Sequence, residues 1–290
     1  MSFKTIFLPL AFQETASVVT SFALLLASKS DAHVQAHHVR RHHDFYPPAD
    51  FYSLGNGTLA QIMRNHDEAT LAFAEKLKSG FREHCETANV PIVSEGDTLS
   101  SETVSASWVQ EIGDPARCYG LAGRASDVAV MALPDAKYDA LERELLEAVL
   151  FQSGGPLLLL PRTGLKALPI RPLIAWDGSL QASRSARSAL PLLREAETVT
   201  LLTIGQTDEG TPSPEIARRW LERSGAKTVE MAVSAGDGPV AKHLLDQCEA
   251  SGSDLLIMGG YSHSRLREFF IGGVTRDMLR HGNIPLLLTH

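Results

Sequence analysis

Apolar residues occur in short, nearly unbroken runs separated by stretches of helical spacing, and the order of these units repeats. Residues 126–132, Ser-Asp-Val-Ala-Val-Met-Ala, lead through a helical stretch to Gly-Pro-Leu-Leu-Leu-Leu-Pro at 155–161. Residues 253–259, Ser-Asp-Leu-Leu-Ile-Met-Gly, lead in the same way to Ile-Pro-Leu-Leu-Leu-Thr at 284–289. Asp127 and Pro156 are 29 residues apart, and Asp254 and Pro285 are 31 apart. Two parallel strands and their crossover helix take about 30 residues of chain.

The earlier runs fall into the same scheme. Residues 5–10 and 172–176 predict a first strand in each half, 32–39 and 198–204 a second, and 90–93 and 229–233 a third. Short apolar strands alternating with helices predict parallel sheets covered on both faces. The expected architecture is α/β: two tandem doubly wound parallel-sheet domains, 1–163 and 169–290, joined through the polar, proline-bounded stretch 162–169. Ile6 to Asp127 spans 121 residues, whereas Leu173 to Asp254 spans only 81. The extra length is expected after the second strand, near 42–60, as an extended loop feeding a long helix over about 59–88.

Composition narrows the function classes. The chain has 290 residues, 44% hydrophobic and 21% charged, which suits a globular protein and excludes a disordered or fibrous one. Lys and Arg number 27 against 34 Asp and Glu, a formal charge of −7 that speaks against a basic nucleic-acid face. No stretch approaches the roughly 20 apolar residues of a membrane helix. The N-terminal apolar run is too short and broken for an export signal. Cys85, Cys118 and Cys248 form no CxxC pair, so neither a disulfide framework nor a cysteine zinc site is expected. A reduced, cytoplasmic location, with neither a nucleic-acid nor a membrane partner, fits these features.

In a doubly wound sheet, ligands sit beyond the carboxyl ends of the strands where strand order reverses. The first strand of the second half ends Ala175-Trp176-Asp177-Gly178-Ser179. A carboxylate there can accept hydrogen bonds from a ribose or base; equally, Asp177 or Ser179 can cap the following helix. The fourth strand ends Met258-Gly259-Gly260-Tyr261-Ser262-His263-Ser264, and a second small-residue pair follows at Gly272-Gly273-Val274-Thr275. Glycines let a backbone approach a phosphate closely. Amides at a helix N-terminus supply donors and a favourable dipole. Plain turns use glycine as well.

On these residues the second half resembles the universal stress protein family, whose nucleotide-binding members carry G-x2-G-x9-G-[ST] after the fourth strand. Here Gly259 opens the pattern, Ser262 stands for its second glycine, nine residues follow, and Gly272 precedes Gly273 in the Ser/Thr place. The resemblance makes Asp177, with Ala175 beside it, the ribose or adenine contact. It makes Ile204 and Met258 the apolar contacts to the base, and Val274 and Thr275 the residues following the glycine pair. Asp237 fits the family's Gly-Asp turn before the third helix. The implied ligand is ATP or AMP, with or without Mg²⁺, in a stress-signalling protein that self-associates or meets a protein partner. Ser262 adds a Cβ on the phosphate path, and Gly273 removes a hydroxyl worth about 1 kcal/mol. Weakened binding is therefore expected rather than none.

The first half departs further. Ala11 replaces the aspartate, and Leu133-Pro134 replaces the glycines, so this half is expected to be retained structurally and empty of nucleotide. In the family the last strand pairs across a dimer interface. Here residues 157–160 and 286–288 are expected to pair with each other, forming an internal pseudo-twofold dimer. Two alternatives stay open beside nucleotide signalling: slow ATP hydrolysis, and a scaffold without nucleotide.

Other signals carry less. Gly55-Asn56-Gly57-Thr58-Leu59-Ala60 matches a loose dinucleotide fingerprint but follows no strand. His33, His37, His38, His42 and His43 cluster without a recognisable ligand motif, so no metal is assigned. Ser262, His263 and Asp177 lack the GxSxG setting of a hydrolase, and no catalytic residue is assigned. Arg265 reads equally as a solvated residue or as a charge beside phosphate.

Overall fold

The computed structural model describes residues 2–41, 56–94, 103–135, 140–205, 210–227, 229–234, 238–260, 273–281 and 283–290. The first half runs β1 (Thr5–Pro9), α1 (Gln13–Ser30), β2 (His33–Arg41), α2 (Asn56–Thr87), β3 (Ser105–Gly113), α3 (Pro115–Ala122), β4 (Val128–Ala132), α4 (Ala140–Gln152) and β5 (Leu157–Leu160). The second runs β6 (Pro172–Ala175), α5 (Leu180–Ser188), α6 (Leu190–Glu195), β7 (Val199–Ile204), α7 (Pro214–Arg223), β8 (Val229–Ser234), α8 (Val240–Ser251), β9 (Leu255–Gly259), α9 (Gly273–His281) and β10 (Leu286–Thr289).

Local chemistry sets several boundaries. α1 ends at Asp31, which takes the left-handed conformation with φ 48°, and α8 ends at Gly252 with φ 62°. α3 starts where the Asp114 carboxylate accepts from the Ala116 amide and Pro115 supplies a preset φ. α5 and α7 start on Ser179 and Ser213, whose hydroxyls accept from Ala182 and Ile216.

The ten strands of the described residues form one sheet, in the order β3-β2-β1-β4-β5-β10-β9-β6-β7-β8. Pairing is parallel within each half and antiparallel only at the centre, where β5 meets β10 with Leu159 opposite Leu286, Leu158 opposite Leu287 and Leu157 opposite Leu288. The expected pairing of the two last strands is therefore present. Each half would otherwise end on an unpaired apolar edge of the kind that aggregates.

Strand alternation divides the core between two faces. Ile6, Leu8, Leu158, Leu160, Ile257 and Leu287 lie on the face covered by α1, α2, α5, α6 and α7. Phe7, Leu157, Leu159, Leu256, Leu286 and Leu288 lie on the face covered by α3, α4, α8 and α9. Both apolar layers run unbroken across the seam between the halves.

The third strand of the first half is not where the apolar run 90–93 placed it. Only Ile92 pairs, through a single bridge to Ala106, and the strand beside β2 is β3. Pro91 removes an amide from the short run, whereas Ser-Ala-Ser-Trp-Val-Gln-Glu-Ile-Gly lines an edge that need be apolar on few positions. The extra length does fall between the second and third strands: α2 has 32 residues where the second half has the 10-residue α7. Of the loop expected near 42–60, residues 56–60 already belong to α2, and 42–55 lie outside the described residues.

Candidate functional site

In each half the chain leaves its first strand in one direction and later returns to that strand's other side. Strand order thus reverses between β1 and β4, and between β6 and β9. Crevices for ligands open at such points. In the second half, β6 pairs with β9 through Pro172–Leu255, Leu173–Leu256 and Ile174–Ile257. This register brings the ends of the two strands, with Ala175, Asp177, Met258 and Gly259, to the same edge of the sheet. β7 lies on the other side of β6, with Ala175 opposite Leu202, and Ile204 ends it.

Asp177 is exposed, and its Oδ1 accepts from the Ser179 amide at 2.9 Å. Ser179 is the cap of α5, its hydroxyl accepting from Ala182 at 3.1 Å. The two readings of Asp177 are thus compatible: one carboxylate oxygen shapes the turn, and Oδ2 has no partner among the described residues. The turn is held from outside. Trp176 Nε1 donates to the Pro212 carbonyl at 3.2 Å. Gly178, at φ 77°, faces Thr211 so closely that a Cβ would stand 2.6 Å from the Thr211 hydroxyl oxygen.

Met258 is buried in the second core layer, and Ala175, Ile204 and Val274, half-buried, pack against that layer. Gly259 has a role that sequence spacing does not reveal. A Cβ there would lie 2.6 Å from Gln181 Cβ and 2.8 Å from the Ala182 nitrogen, so the first turn of α5 rests directly on this residue. The Gly260 amide is engaged in the sheet, donating to the Thr289 carbonyl at 2.9 Å. Gly273 opens α9 with nothing among the described residues within 4 Å of its Cβ position, while Thr275 is buried in the same turn. Ser262, Gly272, Asp237, His263 and Arg265 lie outside the described residues.

In the first half, Leu133 is buried and its amide donates to the Leu160 carbonyl at 2.7 Å. The histidines of β2 bond mainly toward β3. His33 contacts the Ser105 and Ser107 hydroxyls at 2.9 and 2.8 Å, and His37 Nε2 contacts Glu111 at 2.8 Å. His38 Nδ1 donates to the Leu10 carbonyl at 2.8 Å, and its ring stacks on Trp108. Burial lowers the pKa of all three, partly offset at His37 by Glu111. Among the described residues no three His, Cys, Asp or Glu side chains are grouped so as to hold a metal ion. His42 and His43 lie outside them.

A tandem doubly wound sheet with one carboxylate-bearing turn at its second reversal defines the class as an α/β protein of two similar halves. Residues 171–290 match the sequence model of the universal stress protein family. A universal stress protein of the cyanobacterium Synechocystis, Slr1230, is 31% identical over 127 residues, which are 40% of each chain. The chain thus spans 40% of the length of that curated relative. The whole chain is similar in fold to a universal stress protein from Archaeoglobus fulgidus, with TM-score 0.72, 15% identity, and coverage of 98% of this chain and 97% of that one. It is also similar to PA1789 of Pseudomonas aeruginosa, a protein of unknown function, with TM-score 0.57, 13% identity, and coverage of 99% and 92%. Among the described residues no helix is long and apolar enough to cross a membrane.

Proposed function

We propose that the protein is a stress-signalling module that binds one adenine nucleotide, ATP or AMP, at the sheet reversal of its second half. Domains 1–163 and 169–290 share the work unequally: the second binds, and the first braces it through the central strand pair. The observation that carries this reading is Asp177 at the β6 end, exposed, turn-held and with Oδ2 open to a ligand. Asp177 accepts from the ribose or base, Ile204 and Met258 flank adenine, and the Gly259 and Gly272-Gly273 region receives phosphate. Val274 and Thr275 hold the helix start behind it. Binding alters assembly or partner choice through its different affinity for two states of the molecule. A reduced, cytoplasmic setting suits this role.

Calorimetric titration of the full chain with MgATP and with AMP tests it. The expected stoichiometry is near one. Asp177→Ala is expected to weaken binding on the order of tenfold or more, the worth of a hydrogen bond to a charged group. Two equal sites, or unchanged affinity in the variant, would overturn it. Absence of heat at several temperatures, with no nucleotide carried through purification, would leave a scaffold.

A further inference from the structure

The bond from the Ser179 amide to Asp177 fixes the carboxylate within its own turn and no further. Two other contacts fix that turn against the rest of the second half. On one side the first turn of α5 rests on Gly259, with no room for a Cβ between them. On the other lie Thr211 and Pro212, just before α7. The Pro212 carbonyl accepts from Trp176 Nε1 at 3.2 Å. A Cβ on Gly178 would stand 2.7 Å from Thr211 Cβ and 3.3 Å from the Pro212 carbonyl oxygen, so this segment touches the turn without a gap. The segment is itself anchored. Pro212 and Pro214 fix two backbone angles, Ser213 caps α7, and Ala217 and Leu221 bury α7 in the first core layer.

The first half supplies a comparison within the same molecule. Leu10 stands where Trp176 does: its amide donates to the His37 carbonyl at 2.8 Å, as the Trp176 amide donates to the Leu202 carbonyl at 2.8 Å. Both side chains are buried, and in the same core layer. Leucine therefore meets the packing needs of this place. The indole adds an N–H directed at the segment before α7. The half that has Ala11 in place of the carboxylate lacks that donor as well.

We infer that Trp176 is a positioning residue for the ligand of the second half. Its indole ties the Asp177 turn to Pro212 and so holds the carboxylate in the orientation that accepts from the nucleotide. The inference rests on nucleotide binding at Asp177. Because Trp176 acts through Asp177, its effect on affinity is expected to vanish once Asp177 is removed. General support of the fold would instead act alike in both backgrounds.

The full chain, Trp176→Phe, Asp177→Ala and the double variant are to be titrated calorimetrically with MgATP and with AMP, and exchange of the Ser179 amide followed by NMR. Trp176→Phe keeps an aromatic ring in the core and removes the donor. It is expected to weaken nucleotide several-fold where Asp177 is present, the worth of one hydrogen bond, and to change nothing in the Asp177→Ala background. Without ligand it is expected to speed Ser179 exchange several-fold while amides of β6, β7 and β9 keep their protection, which shows the fold intact. Gly178→Ala, which drives a methyl group into Thr211 without entering the core, is expected to give the same pattern. Failure of the unaltered chain to bind either nucleotide would overturn the nucleotide reading and this inference with it. Binding by the unaltered chain, combined with unchanged affinity in Trp176→Phe, equal weakening in both backgrounds or unchanged Ser179 exchange, would overturn this inference alone.

Discussion

Asp127 and Asp254 occupy equivalent places in the two halves and do the same work. The Asp127 carboxylate accepts from the amides of Lys4 and Thr5 at 2.6 and 2.9 Å, and that of Asp254 from Ile170 and Arg171 at 2.9 and 2.8 Å. Each therefore ties the entry of the fourth strand to the entry of the first, across more than 80 residues of chain. These bonds are exposed, so water can replace the acceptor, and removing it costs about 0.5–1.5 kcal/mol per bond. Asp254→Ala is expected to lower the urea midpoint accordingly, and Asp254→Asn, which keeps one acceptor oxygen, to lower it less. The repeated Ser-Asp pair marked the duplication in the sequence. Its purpose appears only once the strands are side by side. The same holds for Gly259, which reads as a phosphate contact but is also required by the helix lying on it.

At the level of elements, β2 and β3 are joined by side chains as well as by their ladder. His33 and His37 reach Ser105, Ser107 and Glu111, and His38 is wedged between the Leu10 carbonyl and Trp108. The groups facing them are Glu111 at His37, and Arg40 and His37 at His38. The folded pKa of each imidazole lies below its ordinary value, chiefly through burial. The unfolded chain then binds more protons than the folded one. The stability contributed is complete above a pH of about 6.5 and lost as pH falls through the folded values. Urea unfolding at pH 8, 7, 6 and 5.5 is expected to give a falling midpoint below 7, by up to about 1.4 kcal/mol per pH unit for each proton taken up. Replacing all three histidines with glutamine is expected to flatten that dependence. This pair of strands was only half legible in advance. β2 announces itself through Val34, Ala36 and Val39, whereas β3, paired on one side by β2, carries serines and a glutamate that suit its position and conceal it.

At the scale of the molecule, the β5–β10 pair makes one body of two repeats. Leu158 and Leu287 face each other with no exposure, and the core layers continue through them on both sides. Neither half keeps a covered edge without the other, so the two are expected to unfold together. Scanning calorimetry is expected to show a single transition whose calorimetric and van't Hoff enthalpies agree. Leu287→Ala removes a fully buried side chain from this seam and is expected to cost about 2–5 kcal/mol. It should lower that one transition rather than split it. Two resolved transitions in the unaltered chain would mean that the seam does not couple the halves.

Much of this architecture is written in local pattern. A buried parallel strand is largely apolar, and a crossover needs a helix, so β1, β4, β5 and their repeats can be read from residue order alone, and β2 from the apolar positions within it. Duplication, the long α2 and the loss of Asp and Gly at the first reversal are legible for the same reason. Other properties depend on neighbours distant in the chain. Which strand lies against β2, what a Cβ at Gly259 would strike, and which carbonyl or carboxylate meets each histidine are contacts set by packing. Periodicity records which face of an element is buried; only the assembled fold decides what it is buried against.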